Sequence, residues 1–391
     1  MVGNKKIGLC ICHDVSNHGS MLQCLATLKF LEKFQCKYEI LRYSKDKSFL
    51  SAVKSLPRLL NKYLIEDKIK TVSCAINNRL NPEFKKYRED RYSAVKEFKK
   101  RYFENYYSPV IPGLAALTEY AKKFDAVLSG SDQLWSPAGL PTNFFNLMFV
   151  PAHIRKISYA SSFGTASIPF YQASRTRQYL ERIEFISVRE NSGKKIVDGL
   201  TNRDVPVVLD PTLLFDRSDW ERFIPIQNNQ SKPYIFAYFL GENSCHRKIV
   251  TEFAKQKGIK LVALKHLDRF IKADVDFGDE TPKGVGAEKF VNLIRHAEYV
   301  FTDSFHGSVF SILHHKKFVT FNRYSATALV SKNTRIDSLF ENLGITGCRY
   351  SGDLQTDASS IIDYNNVDEK LLGLREKSFN YIKQSLDFPE L

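Results

Sequence analysis

One histidine lies in a segment whose residues could bind an anion and move a proton. The segment TDSFHGSVFSILHHK continues the apolar run YVFTD, and its pattern predicts a strand, a turn and a helix opened by Gly307. Backbone N–H groups at a helix N-terminus, with the hydroxyls of Ser304 and Ser308 nearby, favour a phosphate or carboxylate. At the mouth of such a site, His306 could act as a general acid. The alternative is a histidine satisfied by neighbouring backbone groups.

Two polar loops in the first half of the chain could hold a sugar hydroxyl network or an anion. One follows the strand-like run KKIGLCICH and begins a helix, and the other follows the strand-like run FDAVL. In the second loop an acid and an amide could bind acceptor hydroxyls or serve only as a helix cap. Trp135 just beyond could stack on a sugar, although filling the core is the commoner role. The candidate residues of the two loops are Asn17, Gly19, Ser20, Ser131, Asp132 and Gln133.

Several cofactor classes lack their sequence signals. Neither GxGxxG nor GxxxxGK[ST] occurs, so dinucleotide and P-loop sites are not expected. The seven cysteines include no CxxC pair, and Cys10 and Cys12 alternate on one strand, so they would face opposite sides. We therefore expect no metal and no cofactor.

The alternation of strand-like runs, among them FISVRE and VPVVLDP, with helical runs predicts an α/β protein with two Rossmann-like, doubly wound domains facing a cleft. This arrangement resembles the GT-B architecture of many glycosyltransferases. We place the first domain at residues 1–215, with a basic helical insertion at about 45–120, and the second at 216–370. A helix at 371–391 could pack back on the first domain.

The charge of the chain predicts anionic partners. The formal net charge is +14 and the pI is about 9.3, so phosphorylated substrates, nucleic acid or an acidic membrane could be attracted. The pattern of the basic insertion is typical of solvated helix faces. Alternatively, it could form a patch that binds an anionic membrane or an acidic glycan. Nucleic acid is not expected, because RRM, KH, zinc-finger and OB patterns are missing. A signal peptide and a membrane-spanning run are also missing, so we expect a cytoplasmic protein, with peripheral contact at the inner face of the cell membrane as an option.

Six short motifs, in this order, resemble the polysaccharide pyruvyl transferase family. They are GSDQLWSP (130–137), ISYASSFG (157–164), ISVRENSG (186–193), VLDPTLL (208–214), AYFLG (237–241) and TDSFHGSVFS (302–311). The resemblance runs from the first strand to about residue 345. It implies a GT-B-like enzyme that takes phosphoenolpyruvate as donor, forms a ketal on two sugar hydroxyls of a polysaccharide or its lipid-linked precursor, and releases phosphate.

The resemblance also implies roles for particular residues. His306 matches the family histidine and is the candidate acid and base, and Arg189 matches a recurrent family arginine that could hold carboxylate or phosphate. An ion pair with Glu190 or another acid is the structural alternative for Arg189. Some members carry an arginine shortly before the histidine, and its absence here leaves the second cationic contact open among Lys265, His266 and Arg335.

Two other functions remain open from the sequence. One is a nucleotide-sugar-dependent glycosyltransferase on the same two-domain scaffold. The other is a non-catalytic protein that binds glycans or nucleic acid through the basic insertion. The acceptor sugar cannot be read from the residues.

Overall fold

The computed structural model describes residues 5–45, 72, 75–76, 79–137, 143–227, 232–324 and 334–387. These residues form two parallel β-sheets with helices packed around them, which confirms the predicted α/β class with two Rossmann-like domains.

The first domain is built on a sheet of six parallel strands in the order β3-β2-β1-β4-β5-β6. The chain reverses its direction of winding between β1 and β4, which are adjacent in space, and ligands bind at such a switch point in doubly wound sheets. The strands are β1 (Lys6–Cys10), β2 (Lys37–Ser44), β3 (Tyr107–Pro112), β4 (Ala126–Ser129), β5 (Arg155–Ser161) and β6 (Phe185–Val188).

Among the described residues, five helices accompany this sheet. The first begins where the side chain of Asn17 accepts hydrogen bonds from two backbone N–H groups, and the fifth ends at Asn202, which adopts a left-handed conformation. They are α1 (His18–Lys33), α2 (Pro82–Tyr102), α3 (Gly113–Ala121), α4 (Phe170–Arg182) and α5 (Asn191–Thr201).

The second domain has a sheet of four parallel strands in the order β10-β9-β7-β8, with its switch point between β7 and β9. The strands are β7 (Tyr234–Tyr238), β8 (Lys260–Leu264), β9 (Tyr299–Thr302) and β10 (Lys317–Thr320). The helices of this half are α6 (Arg217–Phe223), α7 (Ser244–Lys257), α8 (Ala287–His296), α9 (Phe305–Leu313), α10 (Thr334–Leu343), α11 (Leu354–Ser359) and α12 (Tyr364–Leu386).

Helix α12 returns from the second domain to the first. The hydroxyl of Tyr381 donates to the carbonyl of Ser158 on β5 over 2.8 Å, and Phe379 packs against Phe34 at the end of α1. The helix begins at residue 364, seven residues before the predicted start at 371. The two domains therefore share one large hydrophobic cluster, in which α1 packs against α8 and α9.

Two sequence predictions about local structure were wrong. The insertion is not purely helical, because YSPVIP forms β3 at the edge of the sheet, where the missing N–H groups of Pro109 and Pro112 are tolerated. The run VPVVLDP is not a strand: among the described residues it makes a single bridge, Val207 to Val188, before a 3-10 helix at Pro211–Leu214. Residues 46–71 of the insertion lie outside the described part.

The described part of the insertion also contacts the second domain. Buried Arg91 on α2 donates to Asp268 over 3.0 Å, and Tyr102 and Arg101 both donate to Glu288 on α8, over 2.6 and 2.8 Å. Some basic residues of α2 therefore form contacts between the domains, and the helix is not simply a solvated basic face. None of the described helices is long and apolar enough to cross a bilayer.

Candidate active site

The two switch points meet where the first turns of α1 and α9 touch. Gly19 lies in the first turn of α1, which follows β1, and His306 lies in the first turn of α9, which follows β9. A Cβ on Gly19 would overlap the Nδ1 of His306. A residue without a side chain is therefore what lets the imidazole lie against the first domain.

The carboxylate of Asp210 collects contacts from several elements. Arg189, which follows β6, donates to its Oδ2 over 2.6 Å, and Ser131, which follows β4, donates to the same oxygen over 3.0 Å. The backbone N–H and hydroxyl of Thr212 donate to Oδ1 over 3.0 and 2.7 Å. Oδ1 also lies 3.7 Å from the Nε2 of His306, so one carboxylate faces residues of both domains.

Asp210 is buried and ionised. Burial by itself raises the pKa of this carboxyl, but the opposing effects of His306, Arg189 and the Thr212 hydroxyl are larger together and hold the pKa well below its ordinary value. A negative charge is thus fixed beside the imidazole. A carboxylate in such a position can orient the ring of a histidine.

Asp132 provides a second carboxylate at the switch point of the first sheet. It accepts a 2.6 Å hydrogen bond from Ser20 and lies 4.0 Å from a guanidinium nitrogen of Arg189. Its φ of +86° is in the left-handed region, which Asp adopts more readily than most residues. Burial raises its pKa, yet Arg189, His306 and Ser20 outweigh burial and lower it overall.

Two guanidinium groups approach the ring of Phe305. The central carbon of Arg189 lies 4.6 Å from the ring centroid and that of Arg335, on α10, lies 5.7 Å away, both within the range of cation–π contact. The side chains of Val208, Leu209 and Leu339 also line the small cavity beside these groups. The site thus brings two cations within a short distance of His306.

The two arginines differ in their counter-ions. Arg189 has Asp210 as a partner, and although burial lowers the pKa of its guanidinium, Asp210, Asp132 and Glu190 raise it overall. Arg335 is only 8% exposed, and no carboxylate of the described residues lies within 4.0 Å of it. Burial and then the charge of Arg189 lower the pKa of Arg335 to about 10. A buried cation without a counter-ion is a functional-site signal, because an anionic ligand would offset its desolvation.

Glu190 is a further buried carboxylate behind Arg189. Its Oε1 accepts hydrogen bonds from the hydroxyl of Ser162 and the backbone N–H of Phe163, over 2.8 and 3.2 Å. Its Oε2 lies 3.9 Å from the Nε of Arg189. Arg189 therefore forms ion pairs with acids, as the structural alternative predicted, and it also lies at the candidate site.

Several predicted site residues have local structural contacts instead. Asn17 and Ser304 cap α1 and α9 through hydrogen bonds to backbone N–H groups, and Gly307 packs its backbone against Thr302. The hydroxyl of Ser308 lies 2.8 Å from that of Thr320, on the side of β10, so it does not face the cluster of charges.

Other candidates lie away from the charged cluster. Gln133 lies against Gly164, and the buried Trp135 packs with Phe163 and Tyr179 in the core of the first domain. His266 accepts hydrogen bonds from two backbone N–H groups of the following turn. Lys265, the half-buried residue before it at the end of β8, makes no contact with the cluster among the described pairs.

The sequence reasoning missed Asp210, Glu190 and Phe305 as site residues. All three lie inside quoted motifs, VLDPTLL, ISVRENSG and TDSFHGSVFS, so their neighbourhood was visible. The role of Asp210 could not be predicted from its motif, because three of its four partners, Ser131, Arg189 and His306, come from distant segments of the chain. Within the described ranges, no group of three or more potential metal ligands is gathered.

The fold and this site define a protein of the GT-B-like class: two Rossmann-like domains with an ionised polar site at their junction. Residues 17–324 match the model of the family described as polysaccharide pyruvyl transferase, and the chain belongs to that family. This confirms the resemblance carried by the six motifs. No curated protein matches the chain.

Solved structures with the same architecture support the class. One is a putative UDP-N-acetylglucosamine 2-epimerase from Listeria monocytogenes, with a TM-score of 0.50, 12% identity, and coverage of 98% of this chain and 91% of that one. Another is MnaA from S. aureus in a structure with UDP, with a TM-score of 0.51, 14% identity, and coverage of 98% and 97%. At these identities the likeness concerns the fold alone, and it confirms the predicted GT-B-like arrangement.

We expect Gly19→Ala to destabilise the protein by about 1–3 kcal/mol, because the added methyl overlaps His306 in a packed contact. The measurement is the Tm by calorimetry. Gly199→Ala on α5 is the matched control, since a Cβ there meets nothing within 4 Å and alanine favours a helix. Equal Tm values for the two variants would contradict the described contact.

We expect Asp210→Asn to lower the free energy of unfolding by about 3 kcal/mol near neutral pH, because it leaves Arg189 buried without its nearest counter-ion. Since the folded-state pKa of Asp210 is depressed, its stabilisation is complete above the unfolded value of about 3.9 and is lost as the pH falls through the folded value. The gap between wild type and variant should therefore narrow below about pH 4.

Urea denaturation at a series of pH values measures this gap. The control is Asp204→Asn, which removes a highly exposed carboxylate and should change the free energy by less than about 0.5 kcal/mol. A gap for Asp210→Asn that stays constant down to the lowest pH would show that the carboxylate is not held ionised.

Proposed function

We propose that the protein transfers a pyruvyl group from phosphoenolpyruvate to two hydroxyls of a sugar, forming a pyruvate ketal and releasing phosphate. The acceptor belongs to a polysaccharide or to its lipid-linked precursor. The observation that carries this proposal is the buried Arg335, which has no carboxylate of the described residues within 4.0 Å and shares the ring of Phe305 with Arg189, next to His306. A cation that an anionic ligand would stabilise thus lies near a possible proton donor.

The donor needs fixed positive charge, because phosphoenolpyruvate carries a carboxylate and a phosphate. Arg335 has no acidic partner among the described residues, and the Nε and Nη2 of Arg189 make no hydrogen bond to them. Guanidinium groups bind both kinds of anion, often bidentately. We assign Arg335 the second cationic contact that the sequence left open, with Arg189 as the first.

The transfer requires one proton to be delivered to carbon. His306 gives a proton to the methylene carbon of phosphoenolpyruvate, so the central carbon becomes an oxocarbenium ion. A sugar hydroxyl attacks this carbon and returns its proton to His306, which leaves a carbon that carries both the sugar oxygen and the phosphate. The C–O bond to phosphate then breaks, its electron pair leaves with the phosphate, and a second oxocarbenium ion forms. The second hydroxyl attacks this ion, gives its proton to the released phosphate and closes the ketal.

The two carboxylates have different parts in this scheme. Asp210, 3.7 Å from the Nε2 of His306, stabilises the imidazolium before it gives up its proton. Asp132, ionised and hydrogen-bonded to Ser20, is placed on the first-domain side to accept a hydrogen bond from an acceptor hydroxyl.

A lipid-linked acceptor would bring the protein to the cytoplasmic face of a membrane. Helix α2 carries exposed lysines such as Lys85 and Lys86. These side chains could face anionic lipid headgroups while the opposite side of α2 packs against the protein.

We expect phosphate release from phosphoenolpyruvate that depends on a glycoside acceptor, measured across glycosides of galactose, mannose, N-acetylmannosamine and glucuronate. His306→Ala should lower kcat by a factor on the order of 10²–10⁴, because the proton donor is lost. His153→Ala, which changes an exposed histidine, should leave the rate unchanged. Absence of release with every acceptor, together with stabilisation of the protein by a nucleotide sugar, would favour a glycosyltransferase instead.

We expect Arg335→Met to raise the KM for phosphoenolpyruvate on the order of tenfold to a hundredfold, the effect of one lost charge-assisted contact. The KM for the acceptor should change little, and Arg335→Lys should recover part of the loss by restoring the charge. Arg217→Met alters an exposed arginine and serves as the control. An unchanged KM for the donor in Arg335→Met would remove Arg335 from the donor site.

A further inference from the structure

A second group of polar side chains lies on the other flank of the first turn of α1. His18, the residue before Gly19, stacks its ring on Phe290 of α8, with centroids 4.9 Å apart and an interplanar angle of 16°. The same ring tilts against Tyr238, the last residue of β7, at 5.9 Å. This group therefore joins the two domains beside the contact of Gly19 with His306.

Three polar side chains of this region are almost completely buried, and each has polar atoms without a hydrogen-bond partner among the described residues. His18, Tyr238 and Arg91 are each 1% exposed. Within the described chain, no hydrogen-bond partner reaches either ring nitrogen of His18, the hydroxyl of Tyr238, or the Nε and Nη1 of Arg91. We call these three residues the interdomain polar cluster.

Five unpaired polar atoms in one place are unusual in a folded protein. Buried polar groups are nearly always hydrogen-bonded, and each one left unpaired costs about 1–3 kcal/mol. The atoms come from both domains, and His18 directly precedes Gly19, which lies against His306. Their hydrogen-bonding capacity thus indicates a ligand that reaches this position.

The protonation states of the cluster favour hydroxyl groups as partners. Burial, and then the charge of Arg91, lowers the pKa of His18 to about 3, so its imidazole is neutral and has one donor and one acceptor nitrogen. Burial raises the pKa of Tyr238, so its phenol is also neutral and both donates and accepts. Sugar hydroxyls, which donate and accept as well, complement both groups.

The charges around the cluster argue against a second anion. Arg91 is paired with Asp268 over 3.0 Å, and the nearby Arg323 is paired with Asp303 over 3.4 Å. The positive charge is therefore already compensated, in contrast to that of Arg335. The charges of this region are balanced, but several of its donors and acceptors have no partner among the described residues. A neutral, hydroxyl-rich ligand would pair these groups without disturbing the balance of charge.

We propose that the interdomain polar cluster is the subsite for the acceptor sugar, with the hydroxyls of a neutral ring bound by His18, Tyr238 and Arg91. The proposal rests on the proposed function for the identity of the ligand as an acceptor. The subsite lies across the first turn of α1 from His306, so the sugar bound there enters the cleft next to the proton donor. Phe290 holds the imidazole of His18 in place by stacking.

The test compares wild type with Tyr238→Phe and His18→Phe. It measures the binding of the methyl glycosides of galactose, mannose, N-acetylmannosamine and glucuronate by saturation-transfer NMR, without phosphoenolpyruvate. We expect at least one glycoside to bind, with a Kd raised about 2- to 10-fold in Tyr238→Phe by the loss of one hydrogen bond. His18→Phe should show a larger loss. Tyr171→Phe, on an exposed tyrosine, is the control and should bind as wild type does.

Two further readouts separate this role from a structural one. Because the Tyr238 hydroxyl has no hydrogen-bond partner among the described residues, its removal should leave the Tm unchanged or raise it, whereas the loss of a structural hydrogen bond would lower the Tm. The rise in Tm caused by phosphoenolpyruvate should be the same in Tyr238→Phe and wild type, since the donor binds at Arg189 and Arg335. A lowered Tm with unchanged glycoside binding would overturn the proposal.

The remaining outcomes are also decisive. If no glycoside binds to the wild type, or if inorganic phosphate binding is what Tyr238→Phe and His18→Phe lose, the cluster is not a subsite for a neutral sugar. If glycosides bind in a Tyr238-dependent way but phosphoenolpyruvate neither binds nor releases phosphate, the sugar subsite is supported and the proposed pyruvyl transfer is contradicted.

Discussion

The buried carboxylate of Asp210 is the group on which the candidate site depends. It accepts hydrogen bonds from Arg189, Ser131 and Thr212, and its remaining side faces His306. Thr212 lies two residues after Asp210, whereas Arg189 and Ser131 follow β6 and β4 in the first domain and His306 follows β9 in the second. An ionised group without water is stable only when its charge and lone pairs are satisfied, so the domains and loops that supply these partners must keep a fixed arrangement.

The close approach of the two domains has a steric requirement as well. Gly19 and His306 occupy the first turns of helices that follow the first strand of one sheet and the third strand of the other. Each helix begins at the switch point of its own sheet, where doubly wound folds bind ligands. When the two switch points face each other, the functional groups of both halves are combined, and the missing side chain of Gly19 allows them to touch.

The distribution of charge divides the cleft into two regions. On one side Arg189 and Arg335 flank Phe305, and no carboxylate of the described residues lies within 4.0 Å of Arg335. On the other side, around His18, the arginines are paired with acids and only hydrogen bonds are unfilled. An anionic donor and a neutral acceptor are the two substrates that such a division would suit.

The sequence by itself determined the class of the fold, the family and the position of His306 at the start of a helix, because these depend on local patterns: periodicity, short apolar runs and motifs read in order. It indicated Arg189 and offered Arg335 as one of three cations. Only the tertiary structure distinguishes the three by their burial and counter-ions, since both depend on residues far apart in the chain. The same holds for Asp210 and the interdomain polar cluster, whose members come from separate segments. The edge strand β3 was hidden because its two prolines contradict the usual composition of a strand, and only its place at the edge of the sheet makes them acceptable.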